Sequence, residues 1–504
     1  MKLRSLVIDI IYILFVVFLY YFTNGNNIFL YTLSLSLYYI LSSMFLHIDI
    51  YSKIKDYSDK KHIYSLNIIF KYTNISIIFV NIIISLIVFL FSLLVNNLFD
   101  IKGLVLVNTI MSITLFIRPI LNNISSFVRV YKFKTLSDNI INIYKIVNFI
   151  LMIICSLICF RLTNIKIYIG ISLLYICSII SFFLVYGLCH LLVLGNKIKK
   201  KQFKTQEERI DYKKEIINIL SNNINISIVN IIKHSYVYIS IIILYFILKN
   251  RYGYSYIKVS DIVNNVYLYG MSIIYIMTLI INYLESNNIK KIKENIKSKK
   301  YELVKLDDYL IRMFKILLTI MVVFNIISHS LWTVIFNNDN GNILYIVSNI
   351  SLFYVMYNII IDISLDNMTD KKLYIVLLIG MITKLLIIVP LTNSLYRMGY
   401  NLLYGDILST IVSYIFIVAL LLIINNKKYK IDFVKKFDTI LNIIYYDIIL
   451  CFVLLLFTIV IPINVESRTE GIKVVIIYLF ICLLYIFIGK KLEKNERVIK
   501  RNKK

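Results

Sequence analysis

The chain has 504 residues, 59% of them hydrophobic and only 16% charged, with a mean hydropathy of +0.79. A soluble fold of this length cannot hide that much apolar surface, so an arrangement of soluble domains is excluded and lipid must be the solvent for much of the chain. A net charge of +27 would suit nucleic acid in a soluble protein; here basic loops held on one side of a membrane account for it, and no nucleic-acid partner is expected.

Taken in chain order, apolar runs long enough to cross a bilayer core occupy 6–22, 28–46, 74–95, 104–126, 146–162, 167–193, 219–247, 263–284, 309–336, 343–363, 373–391, 404–424, 439–462 and 473–489. They must be helices, because an open strand cannot satisfy its backbone in lipid. The first run has a basic start, yet no small-residue cleavage site follows Phe22, so it is expected to stay as a helix. Numbering the loops from a cytoplasmic N-terminus places 43 Lys and Arg on the cytoplasmic loops, tails and adjoining helix ends, against nine on the outer side. A missed or extra helix would scramble that alternation, so it supports fourteen crossings with both termini cytoplasmic. Outer loops such as 23–27 and 337–342 are short. The longer basic stretches 47–72, 196–216 and 285–308 are expected to include amphipathic helices lying on the bilayer surface.

Ionisable groups deep in a span are costly and are functional candidates by default. Arg118, beside Pro119, falls in the fourth run; Lys233 and His234 are adjacent in the seventh; Lys384 lies in the eleventh. Arginine can grip phosphate oxygens bidentately and lysine supplies a point charge, so these four suit an anionic head group. Snorkelling to the lipid headgroups is the plain alternative. Asp9, one turn into the first run, suits either a coupling ion or a charge partner; Asp362 and Asp447 are further acids expected to be buried. Pro390 is expected to end the eleventh helix, and Gly270 to allow bending or close approach in the eighth. All six cysteines lie in apolar runs without metal-type spacing and read as packing residues. There is no glycine-rich phosphate loop, so no nucleotide and no other cofactor is expected.

Lys60-Lys61 and Lys299-Lys300 are 239 residues apart, as are Lys145 and Lys384. Both pairs sit at matching places in two six-helix halves of like orientation. The expected organisation is a six-helix lobe at 1–195, a basic linker at 196–216, a second six-helix lobe at 217–426, two appended helices within 427–489 and a basic tail at 490–504.

Three stretches carry a family resemblance. The run HIDIYSKIKDYSDKKHIYSLNIIF, closing Ile28–Phe70, places Ser52-Lys53, Tyr57, Asp59-Lys60 and Ile69-Phe70 in a familiar register. Ser112–Asn148, SITLFIRPILNNISSFVRVYKFKTLSDNIINIYKIVN, puts Arg118 where that family has an arginine. Within Tyr269–Asn425, YGMSIIYIMTLI, ITKLLIIVPL and STIVSYIFIVALL are similar to its second half. Together they resemble the multidrug/oligosaccharidyl-lipid/polysaccharide exporter superfamily, in the branch of stage V sporulation protein B and lipid II flippases.

The resemblance implies an all-α integral membrane protein of the bacterial cytoplasmic membrane. Its two six-helix lobes (helices 1–6 and 7–12) would surround a central cavity, with helices 13 and 14 beside them. It implies a transporter rather than an enzyme. A polyprenyl-pyrophosphate-linked glycan for the cell wall or a polysaccharide would move by alternating access, with H+ or Na+ as a coupling ion and the tail left in the lipid bilayer. Three other readings stay open: a multidrug extruder of the same fold, which calls for cavity carboxylates; a transport-inactive scaffold; and a glycan polymerase or glycosyltransferase, which calls for a large outer loop bearing catalytic groups.

Overall fold

A computed structural model of the chain describes residues 3–23, 28–45, 48, 50–51, 54–56, 63–99, 101–130, 133–163, 165–194, 212–221, 224–298, 306–337, 341–365, 370–429, 437–461, 463 and 467–502. Each of the fourteen apolar runs falls on helix. Twelve of the described helical segments are long and apolar enough to cross a membrane; Phe29–Phe45 is apolar but shorter. The chain divides into two compact units, Met1–Tyr267 and Leu268–Lys504.

The first unit begins with α1 (Leu3–Phe22) and α2 (Phe29–Ser42), continued by a 3-10 turn at Ser43–Phe45. Next come α3 (Ile63–Phe99), α4 (Leu104–Ile113), a 3-10 turn at Thr114–Phe116, α5 (Ile117–Val130) and α6 (Lys134–Ser156). The unit continues with α7 (Ile167–Cys189), α8 (Tyr212–Ser221), α9 (Ile224–Phe246) and α10 (Tyr256–Val263). In α3, Thr73, Ile77, Asn81, Ile84, Val88, Ser92 and Val95 recur every three or four residues and are all buried. The opposite face, with Phe79, Leu86, Leu90 and Leu94, is exposed, as a lipid-facing surface must be. The buried stripe carries short polar side chains because α4 and α5 answer them. Asn108 donates to Ser92 Oγ at 3.0 Å, Asn81 to the Ile113 carbonyl at 3.1 Å, and Asn123 to Asn74 Oδ1 at 2.9 Å. Gly103 opens α4 at φ +84, where a Cβ would meet Tyr168 Cβ at 2.4 Å. Only glycine fits that turn.

α9 and α10 pack on α2 within this unit. Thr32 on α2 donates to Asn264 Oδ1 at 2.6 Å, and Phe29 stacks on Tyr245 with ring centroids 5.1 Å apart. The seventh apolar run is thus packed within the same compact unit as the first six; the division into lobes at 1–195 and 217–426 is taken up below as part of the proposed reading.

The second unit contains α11 (Met271–Leu284), α12 (Ser286–Lys297), α13 (Leu306–Phe336) and α14 (Gly341–Leu365). It closes with α15 (Asp370–Arg397), α16 (Leu403–Tyr429), α17 (Phe437–Val460) and α18 (Arg468–Asn502). Gly270 closes a π-helical turn, Asn264–Gly270, that leads into α11. α13 is central and packs against α14, α17 and α18. Its Val323, Ile326 and Ile327 share a core with Leu450, Leu454, Val474 and Tyr478, so α17 and α18 are anchored by ordinary apolar burial. α12 is amphipathic, with Ile292 and Ile296 buried and Lys290 and Lys291 exposed.

Pro390 does not end its helix: α15 runs through it to Arg397. The missing N–H costs one hydrogen bond, which a helix embedded among neighbours in a membrane tolerates. The paired lysines 60–61 and 299–300, most of the 196–216 linker, and Ser52-Lys53, Tyr57 and Asp59-Lys60 lie outside the described residues.

Candidate functional site

The broken helix α4–α5 positions Arg118. Pro119, at the third position of α5, supplies no N–H and so suits the first turn of a helix, where that donor would have no partner. Ile117, Pro119 and Ile120 are buried, whereas Arg118 is exposed. Its guanidinium lies within electrostatic reach of Tyr38 on α2 and of His234 on α9, and Lys233 acts on His234 as well. His234 also stacks on Tyr39, centroids 5.9 Å apart at 24°. Arg118, Lys233 and His234, far apart in sequence, are therefore gathered in the first unit.

A group of phenols adjoins Tyr38. Tyr38 is within electrostatic reach of Tyr12 on α1, Tyr144 on α6 and Tyr175 on α7. Tyr175 hydrogen-bonds with Ser34 at 2.8 Å, and Asn148 donates to Tyr12 Oη at 2.9 Å. The 41 tyrosines of the sequence conceal these few. Their positions at helical spacing (Tyr31, Ser34 and Tyr38 on one face of α2) are the only signal that could have picked them out. Asp9 accepts from Lys145 of α6, so the structure places it as that lysine's charge partner.

Lys384 belongs to the second unit. Its side chain is 2% exposed, its Nζ is 3.4 Å from Asp406 Oδ1, whose side chain is 1% exposed, and it donates to Thr410 Oγ1 at 2.6 Å. The seam between α15 and α16 is tight here. A Cβ on Gly405 would meet Thr392 Cα at 2.4 Å, and Ser413 donates to the Gly380 carbonyl at 2.7 Å. Water is excluded and the ammonium is already spoken for. Asp406 was not singled out by the sequence, nor was Glu285, which is buried and held by Arg312 at 3.2 Å. Asp447 is buried and accepts from Thr319 at 2.8 Å, while Asp362, expected to be buried, is exposed at a cavity. The six cysteines are free thiols.

Chemically, the first unit offers a guanidinium fork, an ammonium, an imidazole and several hydroxyls, a set suited to phosphate oxygens. The architecture is that of a multi-pass helical membrane protein. The chain is similar to a solved structure named "Lipid II flippase MurJ, inward closed conformation", with a TM-score of 0.63 and 14% identity, over 97% of this chain and 98% of that one. Comparison of the sequence with protein-family models and with curated proteins finds no match.

Proposed function

We propose that the chain is a flippase-like exporter that moves a lipid-linked glycan precursor across the bacterial cytoplasmic membrane by alternating access. It would do so with fourteen crossings, two six-helix lobes at 1–195 and 217–426, and both termini in the cytoplasm. The observation that carries this reading is the end-to-end likeness to a lipid II flippase, which leaves no part of the chain for a separate catalytic domain. The gathering of Arg118, Lys233 and His234 beside phenol hydroxyls supports it. A pyrophosphate-linked head is a polyanion that needs fixed positive charge to leave water, while its polyprenyl tail stays in lipid.

In this reading Arg118 grips a phosphate in two-pronged fashion, with Lys233 and His234 completing the site. Asp9 is the charge partner of Lys145. Lys384 would meet a head group only in a conformation that opens its pair with Asp406. The energy source is a gradient of H+, Na+ or the substrate itself.

The test is complementation of a flippase-depleted strain, with lipid-linked substrate translocation measured in proteoliposomes. The parent chain should restore translocation, and Arg118→Ala combined with Lys233→Ala should abolish it at normal membrane abundance. Full translocation by the double variant would reject the anion site. Efflux of lipophilic cations without glycolipid translocation would replace this reading with the multidrug one.

A further inference from the structure

Where the apolar helix α11 ends at Leu284, the chain bends at Glu285 and continues as the lysine-rich α12. Behind that bend lies a cavity of about 100 Å³, walled by α11, α12, the start of α13 and the end of α14. Its position at the end of membrane-crossing helices sets it at the depth of lipid headgroups.

The chemistry of its walls is specific. Ile289, Ile292, Ile359 and Ile363 give apolar sides. Lys293 and Asp362 line the same space with opposite charges, and among the described residues they form no ion pair with each other. Tyr309 is 6% exposed, yet its hydroxyl has no hydrogen-bond partner among the described residues. Asn358 spends its amide N–H on the Tyr354 carbonyl at 2.8 Å, while its Oδ1 is left without a partner. A buried hydroxyl and a buried amide oxygen without partners are costly, and they signal a ligand to be held. Glu285 is not available for that role, being engaged by Arg312 at 3.2 Å and Asn288 at 2.7 Å; that pairing fixes the rim.

We propose that this cavity binds the headgroup of an amine-bearing phospholipid of the phosphoethanolamine class. Three oxygens, on Asp362, Asn358 and Tyr309, match the three N–H donors of a primary ammonium. Lys293 meets the phosphate, and the isoleucines receive the start of the acyl region. Separated opposite charges favour a zwitterion over a lone cation or anion. A quaternary ammonium has no N–H to give and leaves the same oxygens unsatisfied, so phosphocholine is rejected.

The test uses the full chain in detergent, exchanged against equimolar phosphatidylethanolamine, phosphatidylcholine and phosphatidylglycerol. Retained lipid is counted by native mass spectrometry. The parent should keep one phosphatidylethanolamine in preference to the other two. Asp362→Asn should cut that preference about tenfold, the scale of a charge-assisted hydrogen bond. Tyr309→Phe, which keeps shape and packing, should reduce it severalfold, so the inference is testable even where Asp362→Asn fails to fold. Equal retention of ethanolamine and choline lipids by the parent overturns the proposal, as does an undiminished preference in Tyr309→Phe. Displacement of the lipid by soluble phosphoethanolamine at equal concentration would make the site one for a free metabolite and also overturn it. None of these outcomes bears on glycolipid translocation, so the two readings fail separately.

Discussion

Replacing Lys384 by methionine removes the ammonium but keeps the volume of its chain. At 3.4 Å from Asp406, and with an effective dielectric of about 20, the lost attraction is about 5 kcal/mol. Removing one member of a buried pair costs about 3–5 kcal/mol, because the other charge is left stranded. Both routes agree, and for a unit of this size they predict a fall in Tm of about 10 °C or more. The double variant Lys384→Met/Asp406→Leu strands nothing and should return to within about 1 kcal/mol of the parent. Trp332, the one tryptophan of the chain, is fully buried on α13 in the same unit, so its fluorescence during heating in detergent reports this transition. A single variant that melts with the parent, or a double variant no better than the single, would refute the claim that the pair is buried and mutually dependent.

Other perturbations have calculable outcomes. Gly405→Ala drives a methyl to within 2.4 Å of Thr392 Cα, which is backbone and cannot rotate away, so α15 and α16 must separate. A loss of about 1–3 kcal/mol by the same fluorescence melt is expected. Asp9→Ala should cost less than about 1 kcal/mol, because the Asp9 and Lys145 side chains are 17% and 28% exposed and their attraction is screened; a double-mutant cycle with Lys145→Ala checks it. Thr32→Val removes the 2.6 Å bond to Asn264 and leaves a buried amide oxygen short of a donor, for about 1–2 kcal/mol. Faster protease cleavage near α2 and α10 would show it.

Much of the architecture could be read from the sequence because lipid imposes one rule on every crossing segment: satisfy the backbone internally and face the tails with apolar side chains. That rule marks helices by length alone, and each apolar run does fall on helix. It says nothing about which residue caps or interrupts a helix inside protein. Pro390 therefore read as a terminus, although α15 passes through it. The candidate cations stand out for the same reason, since Arg118, Lys233 and Lys384 lie in apolar runs. Their partners do not. Asp406 sits three residues into α16, where an acid is commonplace at a helix start, and only the antiparallel register across the turn at 398–402 sets it opposite Lys384. Knowing that a buried lysine must have a counter-charge, a reader could have searched the next helix for it.

Lys145 and Lys384, 239 residues apart, differ in how they are neutralised. Each is paired with a carboxylate from another helix of its own unit, Asp9 on α1 and Asp406 on α16. In the order of the apolar runs those are the first and the twelfth, which are not equivalent places in two six-helix halves. Each lysine is therefore neutralised in its own way. The two pairs differ in exposure, which decides how readily each can open. The Asp9–Lys145 pair is part-exposed, whereas Lys384 leaves Asp406 only if α15 and α16 part at the Gly405–Thr392 contact. A conformational change that leaves that seam intact can therefore open the first pair while the second stays locked.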